Sequence, residues 1–152
     1  MKLSTKGRYA TRAMVDLAVN FGKGPIMVKD ISRRQNISGR YLEQILTPLR
    51  IAGLVRVTRG ARGGFALSRA PAEIRLLEII TIMEGSTAPV ECVDDAGVCP
   101  YSDSCVTREV WAEIKKVTDE VLESTTLQYL AERQNKPVPG KSKQRLPSKK
   151  SG

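Results

Sequence analysis

The sequence predicts a mainly α-helical chain with a small β-hairpin wing: a winged helix-turn-helix followed by a long dimerisation helix. Three observations carry that prediction. Apolar residues recur at helical spacing through the first third of the chain, in segments broken by glycine and asparagine. Two short alternating runs then flank a glycine-rich turn, the pattern of a hairpin. Later, Val110, Ile114, Val117 and Val121 fall four, three and four apart, the spacing of a coiled-coil seam.

Thr5 is the expected N-cap of a first helix running to about Phe21. Tyr9, Ala10, Ala13, Met14, Leu17, Ala18 and Phe21 share one of its faces. Gly22 and Gly24 end it, and residues 25–28 read as a short extended piece. A second short helix follows from Asp30 to about Gln35 with Ile31 inward, and Asn36 and Ile37 make a turn. Ser38 opens a third helix. Leu42, Ile45, Leu46 and Leu49 form its core stripe, while Arg40, Glu43, Gln44 and Thr47 take the same spacing on the opposite side. Pro48 removes one backbone hydrogen bond and predicts a bend. Gly53 ends the helix. Residues 54–58 and 65–67 read as strands joined by RGARGG. Leu76 to Glu84 is a further apolar helix closed by Gly85. A long helix resumes at about Thr107, its seam flanked by Trp111 and Leu122, and a last short helix covers about Thr126 to Arg133. The expected organisation is a DNA-binding domain over 1–84, a cysteine loop over 85–106, a dimerisation helix and C-terminal helix over 107–133, and a disordered basic tail over 134–152.

Composition narrows the function. The chain has 152 residues and a formal charge of +9, and six of its basic residues lie in 134–152 without an acid among them. A positive excess suits phosphate. There is no histidine, which excludes Ser–His and Cys–His nucleophiles and histidine as a metal ligand. No Walker or dinucleotide-binding glycine pattern is present, so no enzyme is expected. No apolar run approaches the length of a membrane span, and MKLSTKGRYA lacks the apolar middle of a signal peptide. The expected location is the cytoplasm.

All three cysteines, Cys92, Cys99 and Cys105, lie in one loop, ECVDDAGVCPYSDSC. Thiolates grouped in this way suit an iron–sulfur cluster or zinc. Oxidation of exposed thiols is an alternative sensing chemistry. An electron-carrying iron–sulfur protein is a third reading, against which a complete winged helix speaks.

For DNA, the third helix is the expected major-groove reader. Glu43 can accept from cytosine N4, and Gln44 can pair with adenine. A solvated face, or a Glu43–Arg40 pair, is the bland alternative. Ser38, Arg40 and Tyr41 lie near the helix start, where hydroxyls, guanidinium and amides suit phosphate oxygens. Tyr41 could instead pack at the domain edge. Arg59 and Arg62 sit among glycines at the hairpin tip, thin enough to enter a narrow minor groove. Lys6, Arg8 and Arg12 are generic phosphate contacts.

From the start to about Ala131, the sequence resembles the superfamily of small winged-helix regulators that includes IscR, NsrR and RirA. STKGRYATRAM, ISGRYLEQIL, LRIAGLVRVTRGARGGFAL and the three-cysteine loop carry the resemblance. It implies a homodimer on double-stranded DNA, and an iron–sulfur cluster on Cys92, Cys99 and Cys105 that changes DNA affinity. The signal would be iron, redox state or nitric oxide, and repression is the commoner behaviour. It also implies base recognition by Glu43 and a minor-groove position for Arg59. Two departures stand out. Arg108 occupies the position of a histidine ligand of IscR-like members, and Arg8 lies where some NsrR-like members supply an acid. The fourth ligand is therefore unassigned. Glu91, Asp94, Asp95, Asp103 and Glu109 are the nearby oxygen donors, and the cluster is either four-iron with one open iron or two-iron.

Overall fold

The computed structural model describes residues 2–136; the rest of the expected tail lies outside the described residues. The elements run α1 (Thr5–Val19), α2 (Val28–Gln35), α3 (Gly39–Ile51), β1 (Val55–Thr58), β2 (Gly64–Leu67), α4 (Leu76–Glu84), α5 (Val106–Ser124) and α6 (Leu127–Asn135). Short 3-10 turns occupy Pro71–Glu73, Glu91–Val93 and Ala96–Val98. The winged helix-turn-helix and the long following helix are both present.

The first helix is capped one residue earlier than expected. Ser4, in extended backbone, accepts from the N–H of Gly7, and Thr5 is already helical. Both are hydroxyl residues, so the local pattern did not separate them. The helix also stops at Val19, which leaves Phe21 exposed rather than inward. Ala10, Ala13, Met14 and Leu17 are buried as expected. α2 starts two residues early, at Val28, and closes on Asn36 in the left-handed region (φ 53°). α3 is continuous through Pro48. Leu42, Ile45, Leu46 and Leu49 have no solvent exposure, which stabilises by about 2 kcal/mol for each side chain buried.

One ion pair fixes the helix-turn-helix. Asp16 of α1 is buried, and it accepts from Arg34 Nε (2.9 Å), Arg34 Nη2 (2.7 Å) and Gln35 Nε2 (3.0 Å). A buried carboxylate is tolerated only when paired in this way, so the pairing ties α2 to α1. The wing is antiparallel, with Val55 opposite Leu67 and Thr58 opposite Gly64. Ile26 extends it, exchanging two 2.8 Å backbone bonds with Phe65. Gly64 lies against the Ile26 backbone so closely that a Cβ would collide with it.

The chain end returns to the head. Leu76 N donates to Thr125 O at 2.8 Å and Leu127 N to Ile74 O at 3.0 Å. Thr126 caps α6, and Leu127 and Ala131 enter the same core as α1. α5 behaves differently. It contains no buried residue, and Val110, Ile114, Val117 and Val121 are 40–59% exposed. No helix among the described residues is long and apolar enough to cross a membrane.

Candidate nucleic-acid interface and cysteine loop

α3 presents two faces. Its apolar stripe is fully buried, while Arg40, Glu43, Gln44 and Thr47 are exposed. Ser38 sits at the N-cap, where its Oγ accepts from Tyr41 N at 3.2 Å. Among the described residues Glu43 forms no ion pair with Arg40; Thr47 donates to the Glu43 carbonyl at 2.7 Å, a bond that leaves the carboxylate unused. Tyr41 is half-buried. Its ring stands edge-on to Tyr9, with centroids 5.9 Å apart, so it packs at the seam of α1 and α3.

Arg59 and Arg62 are exposed in the hairpin turn. Gly63 sits against the Thr58 and Arg59 backbone with no room for a Cβ, which keeps the tip thin. Arg12 of α1 donates to Gln35 and lies over the Tyr9 ring at 5.3 Å, whereas Arg8 reaches only Thr5 (3.3 Å) and Lys6 is exposed.

The cysteine loop leaves α4 at Gly85 and enters α5 at Cys105, its N-cap residue. Two anchors hold it. Thr87 is buried and donates to Asp119, which also accepts from Lys115 Nζ at 2.6 Å. Partial burial opposes ionisation of Asp119, but these two hydrogen bonds outweigh it and hold the carboxyl below its ordinary range. Arg108 Nε donates to the Cys92 carbonyl at 2.7 Å, so the residue in the expected ligand position links the first turn of α5 to the start of the loop. All three cysteines are free and none is fully buried. Cys105 Sγ lies 3.1 Å from Thr107 Oγ1; this contact and the Arg108 N–H hold its thiol below the usual range. Ser102, between Cys99 and Cys105, is buried, and its hydroxyl has no partner among the described residues.

Three free thiols and an unused buried hydroxyl fit an iron–sulfur cluster in donor chemistry. Among the described residues no three Cys, Asp or Glu side chains converge as a metal site would require.

Three features were not read from the sequence. Asp16 looks like one more polar helix residue. Ser102 looks like loop. Glu84 looks like the end of an apolar helix, yet its carboxylate accepts from Ser4 N (3.0 Å) and Ser4 Oγ, eighty residues away, and so caps α1. A Cβ on Gly7 would strike that carboxylate. No local pattern signals such a contact.

Residues 3–133 match the family model Rrf2, described as an iron-dependent transcriptional regulator. The chain belongs to the Rrf2 family. It is 44% identical over 131 residues to the transcriptional regulator CymR of Bacillus subtilis, covering 86% of this chain and 90% of that one. The solved structure of that protein, described as the global cysteine regulator, superposes with a TM-score of 0.75 at 43% identity, covering 88% and 98% of the two chains. IscR of T. potens superposes at 0.74 with 42% identity, covering 88% of each chain. An oxidized form of Staphylococcus aureus CymR gives 0.71 at 39% identity, covering 87% and 97%. This Rrf2 chain is thus a transcriptional regulator of a DNA-binding family, with no enzymatic family indicated. The expected kinship with IscR-type winged-helix regulators holds, and CymR joins it.

Proposed function

We propose that this Rrf2 regulator binds paired DNA half-sites as a homodimer, and that its cysteine loop sets DNA affinity by holding an iron–sulfur cluster. The observation that carries the reading is α3, anchored by four buried apolar residues while its polar face stays exposed. Glu43 and Gln44 read base edges. Ser38 and Arg40 lie by the phosphates, Tyr41 supports them through Tyr9, and Arg59 and Arg62 enter the minor groove. The exposed seam of α5 pairs with a second copy, which gives the two-fold symmetry that half-sites require. Repression follows where the bound site overlaps a promoter.

Cys92, Cys99 and Cys105 would hold the cluster, which supplies sensitivity to iron, oxygen or nitric oxide when bound. This chain's own residues pass the state on. Glu84 joins the end of α4, where the loop begins, to the start of α1. α1 in turn meets α3 through Tyr9 and Tyr41. Loop closure that pulls on Glu84 therefore biases the position of the reading helix.

The test is binding of operator DNA, selected from a random pool, by anaerobically reconstituted and metal-free protein. Glu43→Ala is expected to relax preference at one base pair by about 1–3 kcal/mol. Arg59→Ala should weaken binding to all sequences and reduce the salt dependence. Cys99→Ser should lose the cluster and stay dimeric. Unchanged base preference in Glu43→Ala would sink the reading of α3.

A second reading is thiol oxidation or zinc in place of the cluster. It is favoured by the separated cysteines, by the partly exposed Cys105 beside Thr107, and by the likeness to CymR, one of whose solved forms is oxidized. A wild-type protein that stays colourless on reconstitution but loses DNA affinity after peroxide treatment would select it.

A further inference from the structure

Ser102 is 6% exposed, and its hydroxyl is the buried side-chain oxygen or nitrogen left without a hydrogen-bond partner among the described residues. A buried hydroxyl with no partner costs free energy, and in native chains a bound group, an ordered water or local strain accounts for one. In sequence this hydroxyl falls between two of the thiols, Cys99 and Cys105. Ser102 N donates to the Cys99 carbonyl at 3.3 Å, closing a turn, and Ser104 N donates to the Tyr101 carbonyl at 3.1 Å, leading to Cys105 at the head of α5. Neighbouring polar loop residues differ. Asp95 uses its carboxylate to cap the turn at Gly97, at 2.9 Å, and Asp103 and Ser104 are open to water. Ser102 alone in this stretch is both dehydrated and unused.

We infer that Ser102 is a positioning residue for the group held by the loop, its hydroxyl donating to a thiolate or sulfide sulfur once Cys99 and Cys105 are engaged. This rests on the cluster reading proposed above. Such a donor stabilises the more negative, reduced state of an iron–sulfur group and so raises its reduction potential, and it slows loss of the metal. The same hydroxyl brings nothing to the metal-free fold. Removing it is therefore predicted to have opposite consequences in the two states.

The experiment compares wild type, Ser102→Ala and Ser102→Thr as full chains, each reconstituted anaerobically with ferrous iron and sulfide. Ser102→Ala should take up the group, show a lower reduction potential, and release iron to a chelator roughly tenfold faster. Ser102→Thr, which keeps the hydroxyl, should restore the potential. Metal-free Ser102→Ala should melt no lower than metal-free wild type. Equal potentials and release rates in wild type and Ser102→Ala would overturn the inference while leaving the cluster reading intact. A lower melting point or lost fold in metal-free Ser102→Ala would also overturn it, because the hydroxyl would then be needed without the group. If wild type itself takes up no iron and sulfide, the cluster reading fails first and the inference falls with it.

Discussion

The head and the arm of this regulator are built on different terms. In the head, formed by α1 to α4, the hairpin and α6, apolar stripes are closed to solvent, and the buried charge, Asp16, is met by three hydrogen bonds. In the arm, α5 buries no residue, and the loop before it holds the buried hydroxyl that lacks a partner. A helix gains most from an apolar stripe when that stripe is covered, and within one chain the stripe of α5 is not. The head is satisfied by its own chain. The arm has unmet contacts of two kinds, an apolar seam and a polar loop, which match the two additions proposed for it: a second copy and a bound group.

The largest effect is expected from breaking the head. Leu46→Ala removes a side chain with no exposure and should lower stability by about 2–5 kcal/mol in chemical denaturation. The matching truncation in the arm, Val121→Ala, should change the stability of dilute protein by less than about 0.5 kcal/mol. Equal costs would erase the contrast. Next comes the arm's seam. Ile114→Asp places an unpaired charge where the second copy would bury it and should weaken self-association by roughly 100-fold, about 3 kcal/mol, with helical content kept. A dimer that survives in sedimentation would move the interface elsewhere.

A smaller effect is expected where the two regions join. Glu84→Gln weakens the cap on α1 and should cost about 1 kcal/mol, with faster hydrogen exchange confined to the first turn of α1. If the exchange is unchanged, the join is not mechanical. The smallest effect is a pH dependence. Asp119 has a folded pKa below its unfolded one, so its contribution is complete above the ordinary aspartate value of about 3.9 and is lost as pH falls through the lower folded value. The stability difference between wild type and Asp119→Asn should therefore be flat from neutral to mildly acidic pH and shrink only below about pH 4. A difference that already fades near neutrality would assign the loop anchor to another group.

Much of the head was legible because helices and hairpins announce themselves locally. Leu42, Ile45, Leu46 and Leu49 share a face by spacing alone, and the same spacing sets Glu43 and Gln44 opposite them. The seam of α5 was legible in the same way. The errors fell where local chemistry was ambiguous. Ser4 and Thr5 both suit an N-cap, and Phe21 continued a period beyond the helix that carried it.

The cysteine loop was half legible. Its thiols were obvious from composition, yet the sequence could not say that no three candidate ligands converge among the described residues, nor that Arg108 holds the Cys92 carbonyl. By itself, then, the sequence determined the elements, their inward faces and the gathering of all thiols into one loop, since these depend on neighbours within a few residues. Only the tertiary structure decided that Leu127 completes the core of α1, that Asp16 meets Arg34, that Glu84 caps α1, and that Ser102 is buried without a partner among the described residues. Each is a contact, or a missing contact, set by residues distant along the chain. Periodicity encodes which side of an element is inward, but not which partner waits there.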